Sequence, residues 1–255
     1  DWKAHQGDRS RIGTWHSGEY GGERLEAARA VPGWNAPGFD DAGWPNAAVV
    51  EVPAHTVSAQ PVEPNRIQRT FAPVSVKAFG KKDWLIDFGT NLSGLFEIRL
   101  HGLRPKQKVF FIFGDRIDGD ELDDFSQRSE YFNDAGDSGT FRNLFNYHAF
   151  RYVQIKGLEA KPDAADTSAY LVRTDFPDHA TFACSNTLLT DIHNMLHYTL
   201  ECLSLGGYLV DCPHIERLGY GGDGQASTPT AMTMFGLGPL YTAWLDHWRD
   251  CQQPN

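Results

Sequence analysis

Several features that would make a protein class obvious are scarce or missing in this chain of 255 residues. There are four cysteines, Cys184, Cys202, Cys212 and Cys251, and they show none of the CxxC or Cys/His spacings of a structural zinc site. Free buried thiols are expected. No run approaches the roughly 20 apolar residues that a membrane-crossing helix needs. The opening residues, DWKAHQGDRS, lack the basic start and apolar stretch of a secretory leader. The chain is therefore expected to have no membrane span, and to be periplasmic or secreted if a leader was trimmed, otherwise cytoplasmic. Positive charge is also scarce: 23 Lys and Arg against 33 Asp and Glu leave a net charge of −10, and the basic residues are scattered. No nucleic-acid partner is expected, and a neutral partner such as a sugar fits better.

What is abundant is aromatic and strand-forming. Seven Trp, nine Tyr and sixteen Phe suit stacking on sugar faces, and equally suit packed β cores. Residues 1–55 are rich in Gly, Pro and Trp and read as a small β module. Over residues 56–178 the apolar runs IQRTFAPVSVKAF, DWLIDFGTNLSGLFEIRLHGL and QKVFFIFGDRI, bounded by turn residues, predict strands of an antiparallel sandwich. Asn91, Ser93 and Gly94 are expected to form a hairpin turn between two of them. FNYHAFRYVQIKGL and TSAYLVRTDF supply two more strands. The acidic stretch DRIDGDELDDFSQRSEY fails the spacing of a calcium-binding EF-hand loop, and a solvated hairpin is expected instead.

After Cys184 the period changes. SNTLLTDIHNMLHYTLECLSL opens with Ser185 or Asn186 as a helix cap and places Leu188, Leu189, Ile192, Met195, Leu196 and Leu200 on one helical stripe. An unperiodic block, YLVDCPHIERLGYGGDGQAS, precedes a resumed helical pattern in two pieces around Gly236 and Gly238. Strands followed by helices argue an α+β multidomain chain, with helices over 179–255.

Between Asp211 and Asp223 lie three acids and one Arg, with Pro213, Gly219, Gly221 and Gly222 expected to hold the backbone out of regular structure. Glycoside hydrolysis needs one carboxylic acid to protonate the leaving oxygen and further carboxylates to hold hydroxyls or activate water. Glu216, beside apolar Ile215 and Leu218, can serve as that acid. Arg217 can equally pair with Asp211 or Asp223, so the residue types alone fit a salt-bridged loop as well as a catalytic one. Nothing in the pattern calls for a cofactor or a metal.

The run DCPHIERLGYGGDG resembles the signature of the α-L-rhamnosidases of glycoside hydrolase family 78. PGWNAPGFDDAGW, WLIDFGTNLSGLFEIRL, NYHAFRYVQIKGL and FACSNTLLTDIHN are similar to further family landmarks in the same order, so the resemblance covers nearly the whole chain. It implies an antiparallel β-sandwich region followed by the first helices of an (α/α)6 barrel. It also implies that Glu216 is the general acid, that Asp211 and Asp223 grip rhamnose hydroxyls, and that Arg217 lines the same subsite. Tyr220 stands where the family usually has Trp, keeping an aromatic wall and adding a hydroxyl. His214 is expected behind the residues that touch sugar, and Cys212 and Pro213 in packing and loop geometry. The implied reaction is hydrolysis of terminal α-L-rhamnosyl residues with inversion, on a rhamnose-containing glycoside or polysaccharide. No residue matches the family's general base, which comes from a later barrel loop, so the chain alone is expected to be inactive. A non-catalytic carbohydrate-binding β-sandwich is the alternative. Apolar helix faces left bare by an incomplete barrel leave a homo-oligomer open.

Overall fold

Up to residue 174 the regular structure is almost entirely strand, and after residue 186 it is helix, in a computed structural model that describes residues 2–16, 18–52 and 57–253. Its strands are β1 (Arg9–Ile12), β2 (Gly22–Glu26), β3 (Asn65–Phe71), β4 (Ser75–Phe79), β5 (Asp83–His101), β6 (Lys108–Gly114), β7 (Arg116–Asp118), β8 (Glu121–Asp123), β9 (Arg128–Phe132), β10 (Ser138–Arg142), β11 (His148–Lys156) and β12 (Thr167–Thr174). Helices α1 (Thr187–Leu203), α2 (Gly221–Met234) and α3 (Gly238–Asp250) follow. The boundary expected near residue 55 lies outside the described residues.

One long strand organises the sheet. The first half of β5 pairs with β4 and β11, and its second half with β12 and β10, giving the order β1-β2-β9-β6-β11-β5-β12-β3 with β4 and β10 added beside β5. The sheet curls over its own core. Phe96, in the second half of β5, lies 5.5 Å from the ring of Phe111 and 5.6 Å from that of Phe113, both on β6, and Phe111 stacks on Phe141 of β10 at 4.6 Å. These four rings are fully buried, each worth on the order of 1.5–3 kcal/mol of transfer free energy.

The hairpin expected at Asn91–Gly94 does not form, because the chain runs through as one 19-residue strand. Its glycine answers to a neighbour instead of a turn: a Cβ on Gly94 would lie 1.9 Å from the Tyr170 carbonyl oxygen on β12. Another departure is that β2 runs parallel to β9, with Leu25 opposite Tyr131. The β1–β2 hairpin reaches the sheet from far away in sequence, so no short connection dictates its direction. The acidic stretch supplies the short β7–β8 hairpin, tied by Arg116 to Asp123 at 2.6 Å.

Helix α1 starts where its cap residue predicts, with the Asn186 side chain accepting from the Leu188 N–H at 3.0 Å. Its apolar stripe is only partly covered. Leu200 is buried, whereas Leu188, Leu189, Ile192, Met195 and Leu196 are exposed. A second, smaller core gathers Phe176, Leu200, Leu209, Met234, Phe235, Leu240 and Trp244. The thiols are free but not buried as expected: Cys184 and Cys251 are exposed, and Cys202 and Cys212 are half-buried. Cys184 precedes α1 and Cys251 ends α3, where neither core reaches them.

Candidate functional site

The block from Asp211 to Asp223 is loop through Tyr220 and enters α2 at Gly221. The loop closes on itself: the Asp211 N–H donates to the Leu218 carbonyl at 2.9 Å, and the Leu218 N–H returns to Asp211 Oδ1 at 3.1 Å. Pro213 and the left-handed φ of +56° at Arg217 bend the chain between these ends. The glycines, expected to keep the block irregular, act differently. Gly221 and Gly222 open α2, and the reason for Gly219, Gly221 and Gly224 is close packing against α3. Added Cβ atoms would lie 2.9 Å from Trp244, 2.3 Å from Trp248 and 2.7 Å from Trp244 respectively.

Three of the expected residues meet. The ligand atoms of Asp211, Cys212 and Glu216 lie within 4.8 Å of one another. The Tyr220 hydroxyl donates to Glu216 Oε2 at 2.5 Å, and the Cys212 thiol donates to Asp211 Oδ2 at 3.0 Å. Partial burial opposes the charge of Asp211, but the Cys212 thiol and the Cys212 and Leu218 N–H groups outweigh it and hold the carboxyl below its usual range. Asp211 is thereby a carboxylate supplied with donors. Burial, then the neighbouring Asp211, pushes the Cys212 thiol up. The hydrogen bond to Glu216 pushes the Tyr220 phenol up to about 12. Asp223 stands apart in the first turn of α2, exposed, where the positive helix end favours a carboxylate.

Arg217 departs from the salt-bridged reading of the loop. Its hydrogen bonds go to a carbonyl and two side-chain amides in place of Asp211, Glu216 or Asp223. It is only 6% exposed, and its guanidinium donates to the Pro213 carbonyl at 2.8 Å, Asn146 Oδ1 at 2.7 Å and Gln127 Oε1 at 3.2 Å. The rings of Tyr20 and Tyr147 lie 4.1 and 4.2 Å from it. Cation–π contacts and amide oxygens thus replace a carboxylate as partners of a buried cation. Burial lowers its pKa from the ordinary value without neutralising it near pH 7.

The sheet grips the loop elsewhere too. The Tyr20 hydroxyl donates to the Glu216 carbonyl, the Gly18 N–H to the Ile215 carbonyl at 3.0 Å, and His214 packs edge-on against Phe125 with centroids 4.6 Å apart. Behind Asn146, the buried Glu23 carboxylate accepts from the N–H groups of Leu144, Phe145 and Asn146. Sequence reasoning missed Tyr20, Glu23, Gln127, Asn146 and Tyr147 as supports. Asn146 and Tyr147 open the landmark NYHAFRYVQIKGL, the one signal that pointed near them.

Comparison with known proteins places this geometry in a family context. Residues 1–69 match the α-L-rhamnosidase N-terminal domain, 77–173 the bacterial α-L-rhamnosidase concanavalin-like domain, and 177–255 the bacterial α-L-rhamnosidase 6 hairpin glycosidase domain. An α-L-rhamnosidase of Formosa agariphila is 26% identical over 92% of this chain and 26% of its own length. A solved α-L-rhamnosidase from Dictyoglumus thermophilum superposes with a TM-score of 0.84 at 27% identity, covering 92% of this chain and 27% of that one. A Streptomyces avermitilis α-L-rhamnosidase complexed with L-rhamnose gives 0.83 at 25% identity, covering 99% and 25%. The chain spans about a quarter of the length of the relatives it matches.

Proposed function

Since the chain belongs to the bacterial α-L-rhamnosidases of glycoside hydrolase family 78, we propose that it carries the proton-donating half of a rhamnosidase site, with Glu216 as the general acid. The observation that carries this reading is the meeting of Glu216 with Asp211 and Tyr220 on a loop fixed to the sheet. Two neighbouring carboxyl groups in unlike surroundings divide the work between them. Asp211, ringed by donors, is the ionised member and holds rhamnose hydroxyls by charge-assisted hydrogen bonds, as does Asp223 from the end of α2. Tyr220 offers its ring to the sugar, and Arg217 holds the loop from behind. In this reading residues 1–55 are a small β module, 56–178 a β-sandwich and 179–255 the start of an (α/α)6 barrel.

The substrate is a terminal α-L-rhamnosyl residue, and the reaction inverts the anomeric centre. Inversion requires a base set about 6.5–9.5 Å from the acid, with a water between. By the family resemblance that base comes from a later barrel loop, so residues 1–255 alone do not turn over rhamnosides. The decisive experiment is Glu216→Gln in a catalytically active, longer form of the protein. Hydrolysis of substrates with poor leaving groups should fall by about 10²–10⁴-fold, and that of an activated aryl rhamnoside much less, because it needs little protonation. Equal losses on both would make Glu216 a binding residue. Early NMR spectra of the released sugar should show β-L-rhamnose first.

A further inference from the structure

The structure joins Tyr220 to Glu216 by a direct hydrogen bond, and the loop on either side of Tyr220 is pinned. Gly219 is wedged against Tyr208 and Trp244, and Gly221 lies under Trp248, so neither flank can take a side chain without displacing a ring. Tyr220 itself caps α2 in an extended conformation, φ −74° and ψ 143°, and its carbonyl accepts the Gly224 N–H at 2.9 Å. With the backbone so fixed, the phenol hydroxyl reaches Glu216 Oε2 at 2.5 Å. The Glu216 backbone is fixed independently, through the Tyr20 hydroxyl and the buried Arg217 next to it.

We propose that Tyr220 is a positioning residue for the proton transfer, its hydroxyl holding Glu216 Oε2 and stabilising the carboxylate that forms as Glu216 gives up its proton. The inference rests on the assignment of Glu216 as the general acid. In the step concerned, the proton passes from Glu216 to the leaving oxygen as the glycosidic bond breaks, and the bonding pair leaves with that oxygen. Tyr220 keeps its own proton throughout. A hydrogen bond to an ionised acceptor is roughly twice as strong as one to a neutral acceptor, so this contact tightens as the proton departs. An interaction that strengthens toward the transition state raises kcat, whereas one of constant strength changes only KM. The Trp usual at this place in the resembling family has a single ring N–H and no hydroxyl, so it cannot make this contact in the same way.

Two measurements test the proposal, and the first needs no activity. In residues 1–255 labelled at tyrosine Cζ, the Tyr220 resonance, assigned by its loss in Tyr220→Phe, should titrate near 12 and move toward the ordinary value of about 10 in Glu216→Gln. A Tyr220 that titrates near 10 whether or not Glu216 is present overturns the pairing. The second compares Tyr220→Phe and Tyr220→Trp in the catalytically active protein. Both should lower kcat about tenfold on substrates with poor leaving groups, leave KM nearly unchanged, and barely affect an activated aryl rhamnoside. Equal slowing on both substrates, or a rise in KM alone, overturns the positioning role even if the pairing holds. If the unmodified longer form, extended through the remaining barrel, hydrolyses no rhamnoside at all, the proposed function fails and the positioning role fails with it, while the titration still decides the pairing.

Discussion

The sheet and the helices cover their apolar residues to very different depths. On β5, Leu85, Ile86, Phe96 and Ile98 are entirely buried, whereas on α1 Leu188 is 64% exposed and Met195 59%. Both segments carry regular apolar patterns in sequence. Their surroundings differ, because β5 has strands on both edges and aromatic rings over its face, while α1 meets the sheet and the second core mainly through residues of its C-terminal half, such as His197, Tyr198, Leu200 and Glu201. The sheet is therefore the rigid frame of this chain. The loop bearing Glu216 lies in the helical part of the sequence but takes its position from that frame, through Arg217, Tyr20 and Asn146.

The contrast can be broken at its centre. Phe96→Ala should destabilise the protein by about 3–5 kcal/mol in chemical denaturation, because the rings around it cannot collapse into the space. Leu189→Ala, on the bare side of α1, should change stability by no more than about 0.5 kcal/mol. Similar losses at the two positions would mean that α1 is covered in solution.

A smaller effect is expected where the loop meets the sheet. Arg217→Met should cost about 2–3 kcal/mol, since it leaves the Asn146 and Gln127 side-chain oxygens and the Pro213 carbonyl short of a donor. It should also speed amide exchange at Arg217 and Leu218 more than at β5. If exchange there stayed slow, the loop would hold itself without the sheet.

The mildest perturbation is acid. His148 is fully buried, stacked on Phe113 at 3.9 Å, with Nε2 beside the Ser129 hydroxyl at 3.1 Å. Burial, and then the charge of Arg217, pushes its pKa well below the ordinary value, so it stays neutral in the folded state. The unfolded chain takes up a proton at this residue below about pH 6.5. Stability is thus unaffected above that pH and falls as pH drops below it, by at most about 1.4 kcal/mol per pH unit for this one proton. His148→Gln should flatten the decline between pH 6.5 and 5 by that one proton's share. An unchanged slope would assign the acid sensitivity to other groups.

Much of this was legible in advance, and the misses share a cause. The strand runs from Ile67 to Thr174 and the Asn186 cap followed from local pattern. The continuous path of β5 through Gly94 did not, because a glycine needed for close approach by β12 looks in sequence like a glycine needed for a turn. Gly219 and Gly221 were misjudged for the same reason, since the rings of Trp244 and Trp248 that require them lie more than 20 residues away. For Arg217 the sequence left a pairing with the neighbouring carboxylates open, whereas its partners come from residues 20, 127, 146 and 147.

What the sequence determined alone was everything carried by short-range periodicity and residue chemistry: strands before helices, the start of α1, and an acidic loop whose residue types match a family of sugar-cleaving enzymes. What only the tertiary structure decided was which groups in that loop meet. Hydrogen bonds and ring contacts act over a few ångströms of space regardless of chain separation. The sheet therefore claims Arg217, and Tyr220 is left to hold Glu216.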